Sequence, residues 1–339
     1  TATSNTTSAG NVGCPDMSTD ALKDLALPQQ LQHWARTRPD QVALRQKQHG
    51  IWQPVTWKQY ADRSRWFGLG LVQLGLKPGD KVAVNPSHAC GQCDYCLGGR
   101  FNLCRRMFFL GSASVFPHAQ GLFRERFVLG QAQLTPVHED ISLGELACAE
   151  PLSIGLHAVH RAGVLTGKTV LITGGGTIGS MCVIAARLAG AAQVMVCDIA
   201  ERPLAIAQQV GADRVIRSDQ VDAASLADIA DISIEAAGSP AALATCLAAT
   251  RRGGRIVQVG TLPAEGVQFP ANSIMARELD YVGAFRAAHA FDWAVQYLRT
   301  RRVDVRPLLS AQLPLSRAAE AFALAADRSR STKVQLVCD

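Results

Sequence analysis

The sequence is poor in the features that mark several protein classes. Charged residues make up only 18% of its 339 positions, and the net charge of +6 comes from 27 arginines and 7 lysines with no basic run. A nucleic-acid surface needs clustered cations, so the expectation is a solvated exterior with no nucleic-acid partner. Long apolar runs are missing too. The most apolar window, 170–190, is interrupted by glycines and lacks flanking charges. It reads as a buried strand, turn and helix, with no membrane partner. The opening TATSNTTSAGNVGCPD lacks the apolar core of a signal peptide. It is expected to be a disordered polar tail over 1–16, with Met17 a plausible start. Residues 17–76 hold no cysteine, and no Gly-His-Glu triplet occurs in the chain.

What is present is an ordinary globular composition, 48% hydrophobic, in a chain long enough for two domains with cores of their own. Of ten cysteines, four fall within fifteen residues and the others are isolated. That distribution argues against a disulfide framework and for a metal knuckle in a reducing, cytoplasmic setting. The four are Cys90, Cys93, Cys96 and Cys104, spaced C-x2-C-x2-C-x7-C. Four soft thiolates on one short loop can close a tetrahedral cage around zinc, and a full cage leaves no position open for chemistry. An iron–sulfur run begins similarly but brings its fourth cysteine after three residues and follows it with proline. Here the interval is seven and Arg105 follows.

The run KTVLITGGGTIGSMCVIAARLAG supplies a strand over Thr169–Thr173, a G-x-G-x-x-G turn at Gly174, Gly176 and Gly179, and then a helical pattern. A second strand, QVMVCD, ends in Asp198, nineteen residues beyond Gly179. A strand, glycine turn and helix followed by an acid at that interval are the dinucleotide fingerprint. The glycines admit the pyrophosphate to the helix N-terminus, and the acid accepts the ribose hydroxyls. Asp198 would repel a 2′-phosphate, so NAD is expected over NADP. Strands over 214–217, 231–235 and 255–259 alternate with helices over 223–229 and 241–250, which predicts an α/β, doubly wound parallel sheet. Phe291, Ala294, Val295 and Leu298 repeat at i, i+3, i+4 and i+7, predicting one more packed helix.

With the knuckle followed by this unit, the chain from about Lys77 onward resembles the zinc-type medium-chain dehydrogenases. The likeness is closest to their polyol branch and the L-idonate 5-dehydrogenases. It is carried by GDKVAVNPSHACGQCDYCLGGRFNLC, MFFLGSASVFPHAQGLFRERFV, ACAEPLSIGLHAVHRAG and DRSRSTKVQLV. The resemblance implies a Rossmann domain over 153–301 and a GroES-like catalytic domain with a zinc lobe over 77–152 and 302–339. It implies a polyol or aldonate substrate and a homo-oligomer. It makes the four cysteines the structural zinc site, and Glu150 of AEPL the carboxylate beside a catalytic zinc. Arg286 of GAFR falls near nicotinamide and substrate. Thr177, Ile178, Gly260 and Phe285 fall along the cofactor. Where the family often has an arginine five residues after the acid this chain has Pro203, and Arg202 is the candidate to take over its contact.

The resemblance stops upstream. The family's first catalytic-zinc ligand is a cysteine in a C-G-[ST]-D-like motif, with further ligands in Gly-His-Glu, and neither motif is present. His138-Glu139 lies on the wrong side of the knuckle and reads as a solvated loop pair. Residues 17–76 instead resemble the N-terminus of the acyl-activating, AMP-forming synthetases, near the long-chain acyl-CoA synthetases. That stretch reads as a helix over 28–37, strands over 42–46 and 51–55 around a turn at Gly50, and a long helix. The helix opens on the capping-box pattern Thr56-x-x-Gln59 and buries Phe67, Leu71 and Leu74. Both families carry L-x-P-G-D-[KR]-V-A where 75–84 sits, so the expectation is a hybrid with an incomplete catalytic domain. Its phosphate loop with lysine is absent, which sets acyl activation aside. A binding module holding NAD and zinc without turnover remains the alternative to an impaired dehydrogenase.

Overall fold

A computed structural model describes residues 27–48, 51–73, 75–112, 116 and 118–338, and the chain divides into two compact units between Leu76 and Lys77. The tail over 1–16 and the turn at Gly50 lie outside the described residues, as do Leu74 and the side chains of Phe67 and Leu71. The first unit runs α1 (Leu27–Thr37), β1 (Val42–Gln48), β2 (Ile51–Thr56) and α2 (Trp57–Gln73), with β1 and β2 antiparallel. The capping box closes α2 as its sequence predicts. Thr56 Oγ1 accepts the Gln59 N–H at 3.2 Å, and Gln59 Oε1 accepts the Thr56 N–H at 3.0 Å. Trp34 and Trp57 pack at 6.0 Å and join the two helices.

The second unit begins with β3 (Lys81–Val84), β4 (Ser87–His88), α3 (Asp94–Leu97), β5 (Phe108–Phe109), β6 (Leu134–Val137) and α4 (Leu143–Leu146). Two isolated antiparallel pairs result, β3 with β6 and β4 with β5. Then come α5 (Ala149–Ala162), β7 (Thr169–Thr173), α6 (Thr177–Leu188), β8 (Gln193–Asp198), α7 (Glu201–Gln209) and β9 (Arg214–Arg217). The second half of this layer is β10 (Ala230–Glu235), α8 (Pro240–Ala249), β11 (Thr250–Gln258), α9 (Ala271–Arg277) and β12 (Asp280–Gly283). The chain closes with α10 (Ala290–Arg299), β13 (Leu309–Pro314), α11 (Ala318–Ala326) and β14 (Lys333–Val337), the two last strands pairing in parallel.

The six strands β7 to β12 form one parallel sheet in the order β12-β11-β10-β7-β8-β9. Counted from β7, that is 6-5-4-1-2-3, the dinucleotide-binding order whose switch point lies between β7 and β10. The core follows from the near-continuous apolar strands. Val170, Ile172, Val194, Val196, Ile232, Ile234 and Val257 pack with α5, α6 and α10, and Ala83, Val137, Ile141 and Leu146 join the same cluster. Phe291, Ala294, Val295 and Leu298 of α10 are buried, as their spacing predicts.

Three expected boundaries shift for local reasons. The helix expected over 223–229 is one tight turn, Ala223–Leu226, because Asp228 takes a left-handed conformation at φ 55°. The helix expected over 241–250 starts at Pro240, where Ser239 Oγ accepts the Ala242 N–H at 3.2 Å. The strand expected over 255–259 begins at Thr250, because the pairing with β10 starts there and continues past an irregularity in register between Thr250 and Arg255.

Candidate cofactor and metal sites

The loop between β4 and β5 folds the four cysteines onto one point. Their sulfurs lie within 4.8 Å of one another, and among the described residues no other group of three or more His, Cys, Asp or Glu side chains is so placed. A tetrahedral zinc with Zn–S of about 2.3 Å needs sulfurs about 3.8 Å apart. The Cys93–Cys96 and Cys90–Cys96 distances of 3.5 Å and 4.0 Å bracket that value. The donor set therefore fits zinc. Backbone N–H groups aim at the sulfurs, from Cys90 to Cys104 Sγ at 3.2 Å and from Arg106 to Cys104 Sγ at 3.4 Å. The Gln92 N–H lowers the Cys90 thiol to about 6, and the Arg105 N–H lowers Cys93. Burial pushes Cys96 up to about 12, so four thiolates coexist there only beside a cation. Arg105 clasps Asp94 through two 2.8 Å bonds and lies 4.9 Å over the Tyr95 ring, which fastens the two ends of the loop. The described cysteines form no disulfide.

The glycine turn after β7 holds the geometry a dinucleotide requires. Gly174 is left-handed at φ 92°, and a Cβ there would stand 2.8 Å from the Ala237 nitrogen. A Cβ on Gly179 would overlap the Gly174 carbonyl oxygen, whereas Gly176 faces open space at the N-terminus of α6. Ile178 packs against the core, and Thr177 Oγ1 donates to Thr332 O at 2.8 Å. Asp198 ends β8 and accepts the Gly175 N–H at 2.7 Å through Oδ2 and the Ala200 N–H at 2.9 Å through Oδ1. Each oxygen keeps a second lone pair for a ligand. Asp198 lies on the wall of a cavity of about 410 Å³, with Gly174, Ser218, Asp219, Ser239 and Arg328. Arg202 turns to the C-terminal segment: its Nη2 donates to Ser310 Oγ at 3.4 Å, and its Nε is buried without a partner.

Sequence reasoning missed Glu235, which ends β10 and is fully buried. Its Oε1 accepts the Ala237 N–H at 2.9 Å and the Gly238 N–H at 2.7 Å, and its Oε2 accepts Gln258 Nε2. Gly260 packs against Gly238 and this carboxyl group. The available signal was a strand-terminal acid just before the Ala-Ala-Gly-Ser-Pro turn. Asn102, also missed, is buried in the knuckle and donates to Phe285 O at 2.9 Å. Arg286 is left-handed at φ 56°, with its guanidinium 5.0 Å from the Phe109 ring centre and 4.8 Å from that of Phe285. Partial burial lowers its pKa from the usual arginine value.

Glu150, in the first turn of α5, borders a cavity of about 280 Å³ lined by Val82, Ala83, Val84, Leu122, Leu146 and Phe291 among others. Burial raises its pKa above the usual carboxylate range, partly offset by Lys333. It belongs to no group of three or more possible metal ligands among the described residues. Glu139 of the His138-Glu139 pair is bound to Arg299 at 2.6 Å. No helix among the described residues is long and apolar enough to cross a membrane.

A parallel sheet of this order, a glycine turn after β7 with an acid at the end of β8, and a four-thiolate knuckle on a GroES-like segment define a nucleotide-dependent, zinc-binding oxidoreductase. Two family descriptions match, "Zinc-binding dehydrogenase" over 177–300 and "Alcohol dehydrogenase GroES-like domain" over 69–139. The chain belongs to the zinc-binding medium-chain dehydrogenases, a family dependent on NAD(P). It is 37% identical over 265 residues to L-idonate 5-dehydrogenase (NAD(P)(+)) of Escherichia coli (strain K12), covering 77% of each chain. It is 34% identical over 280 residues to sorbitol dehydrogenase of Gallus gallus, covering 80% of this chain and 77% of that one. The crystal structure of the Escherichia coli L-idonate 5-dehydrogenase superposes with a TM-score of 0.74 at 37% identity, covering 78% of this chain and 77% of that chain. A structure from Sinorhizobium meliloti 1021 bound to NADP gives 0.72 at 28% identity, covering 77% and 78%. None of these relatives is an acyl-activating enzyme, and they lend the expected synthetase-like stretch no support.

Proposed function

We propose that this chain is an NAD-preferring dehydrogenase of the polyol and aldonate branch whose catalytic centre is impaired. Cys90, Cys93, Cys96 and Cys104 hold a structural zinc. Asp198 anchors the adenosine ribose, and the glycine turn from Gly174 to Gly179 carries the pyrophosphate, with Arg202 to its C-terminal side. Gly260, Phe285 and Arg286 line the nicotinamide end, and the substrate is a sugar acid or polyol such as L-idonate or sorbitol. Bound at the knuckle, zinc supplies a cross-link and no chemistry, since its four thiolates fill the coordination shell.

One observation carries the impairment. Oxidising an alcohol by hydride transfer needs its hydroxyl deprotonated, and in this family a Lewis acid held by about three protein ligands does that. Among the described residues Glu150 has no such partners, and its cavity is otherwise walled by apolar side chains. The absent C-G-[ST]-D and Gly-His-Glu motifs would fall in the stretch 17–76. We read that stretch as a foreign N-terminus joined at the shared octapeptide within 75–84, leaving 77–152 and 302–339 as an incomplete catalytic domain beside 153–301. The isolated two-stranded pairs β3/β6 and β4/β5 support this reading.

The test combines metal analysis with a steady-state assay at saturating NAD over a panel of polyols and aldonates. One zinc per chain and turnover orders of magnitude below that of an intact relative are expected, at about 1.4 kcal/mol of lost stabilisation per factor of ten. Two zinc ions per chain with robust, chelator-sensitive turnover refutes the impairment. One zinc with no turnover on any substrate favours the second reading, a binding module for NAD and zinc.

A further inference from the structure

The loop 284–289 leaves the C-terminal end of β12, the outermost strand of the half-sheet β10-β11-β12. In a doubly wound sheet the two mononucleotide halves of a dinucleotide lie on opposite sides of the switch point, outside the carboxyl ends of the strands. Asp198, at the end of β8, fixes the adenosine side. The other half of the sheet, and with it loop 284–289, faces the nicotinamide side.

Two sets of contacts hold this loop. From the sheet side, the Ala284 N–H donates to Gln258 O at 2.9 Å, and Arg161 Nε donates to Gly283 O at 2.9 Å. From the knuckle side come three contacts in a row. The Phe101 ring meets the His289 ring edge-on at 5.1 Å, Asn102 Nδ2 donates to Phe285 O at 2.9 Å, and the Phe109 ring lies 5.0 Å from the Arg286 guanidinium. Asn102 is only 8% exposed and sits two residues before Cys104. Its partner carbonyl opens the peptide that leads into Arg286, whose left-handed backbone is one that non-glycine residues seldom adopt without outside support.

We propose that Asn102 is a positioning residue for the nicotinamide half of the cofactor, and that through it metal binding at the knuckle strengthens cofactor binding. The knuckle is closed by its own metal, so its internal order sets where Asn102 points. Asn102 fixes the Phe285 carbonyl and hence the direction of the peptide into Arg286. By linkage, the bound cofactor strengthens metal retention by the same factor. This inference rests on the NAD reading given above.

Fluorescence titration of the full, zinc-loaded chain with NADH, and calorimetric titration with ADP-ribose, which lacks nicotinamide, separate the possibilities. Asn102→Ala is expected to weaken NADH about five- to tenfold, the size of one buried hydrogen bond, and to leave ADP-ribose within twofold. Removing the metal from the unmutated chain should give the same split, and removing it from Asn102→Ala should add less than a further twofold. Should Asn102→Ala fail to fold, Asn102→Asp keeps the shape, removes the donor and should show the split. Parallel weakening of both ligands, or unchanged NADH affinity, overturns the proposal while leaving the NAD reading intact. An unmutated chain that binds neither ligand removes the NAD reading, and this inference with it.

Discussion

Glu235 offers the sharpest test of how the cofactor cavity is built. The side chain has no exposed surface and accepts two backbone N–H groups, from Ala237 and Gly238, plus the amide of Gln258. Glu235→Ala removes three hydrogen bonds worth about 1 kcal/mol each, and takes the partner from the N–H groups of the exposed Ala237 and the half-buried Gly238. A loss of about 3 kcal/mol is expected, a large share of the roughly 5–15 kcal/mol typical of a domain. Glu235→Gln should behave differently. Its carbonyl oxygen can keep both backbone donors, and Gln258 can turn its amide over to accept from the new NH2, giving up the 2.7 Å bond that its Nε2 donates to Gly260 O. Tyr281, whose hydroxyl donates to Gln258 Oε1 at 2.9 Å, can then accept instead, because a phenol does either. The cost should stay near 1 kcal/mol. Because the 236–239 turn borders the proposed adenosine cavity through Ala237 and Ser239, Glu235→Ala should also weaken ADP-ribose. Urea unfolding followed by near-ultraviolet circular dichroism, with ADP-ribose calorimetry, measures both. A Glu235→Ala protein within 1 kcal/mol of the unmutated one, or no more affected than Glu235→Gln, refutes the bracing role.

Other expectations follow from the same geometry. Purified protein should carry zinc at the knuckle, and Cys96→Ser should lose it and lower the melting temperature of the unit that holds the lobe; metal analysis of both proteins checks this. NAD should bind more tightly than NADP, and Asp198→Ala should narrow the difference, as paired titrations will show; equal affinities in the unmutated chain contradict the anchor. His157 is buried, and burial, with His160 and Arg161 nearby, lowers its pKa to about 4. The unfolded chain, with its histidine near 6.5, binds the proton first, so stability rises with pH from about 4 to 6.5 and falls by up to about 3 kcal/mol as pH drops through that window. His157→Gln should flatten that slope in denaturant melts at pH 4.5 and pH 7.

The sheet was legible from sequence because its strands are buried on both faces and read as unbroken aliphatic runs such as TVLIT and QVMVC, each ended by a glycine turn or an acid. The knuckle was legible because all its ligands share one loop. Capping at Thr56 was legible because both partners lie within one turn. Asn102, Glu235 and Arg202 were not. Their long-range partners lie 183, 23 and 108 residues away, so no local spacing announces those contacts, and the two nearby donors to Glu235 are backbone N–H groups that almost any residue offers. Boundaries slipped where a single side chain or backbone angle decides them, as with Ser239 and Asp228.

On the proposed reading, binding and turnover separate because their supports differ. The cofactor half draws its core from its own strands and from α5, α6 and α10, and its proposed ligand contacts come from strand ends and turns within 174–286. Hydride transfer to that cofactor needs more, namely an activated hydroxyl beside the nicotinamide, which in this family depends on metal ligands gathered from several segments of the GroES-like domain. Here Glu150 sits in the first turn of α5, bordering an apolar cavity, and burial raises its pKa. Ligation of a dication requires the deprotonated carboxylate, the form that burial disfavours. On that reading, one histidine or cysteine supplied near Glu150 would not build a zinc site. At least two further ligands must arrive together, so that the metal's charge can offset the cost of ionising Glu150 in that cavity.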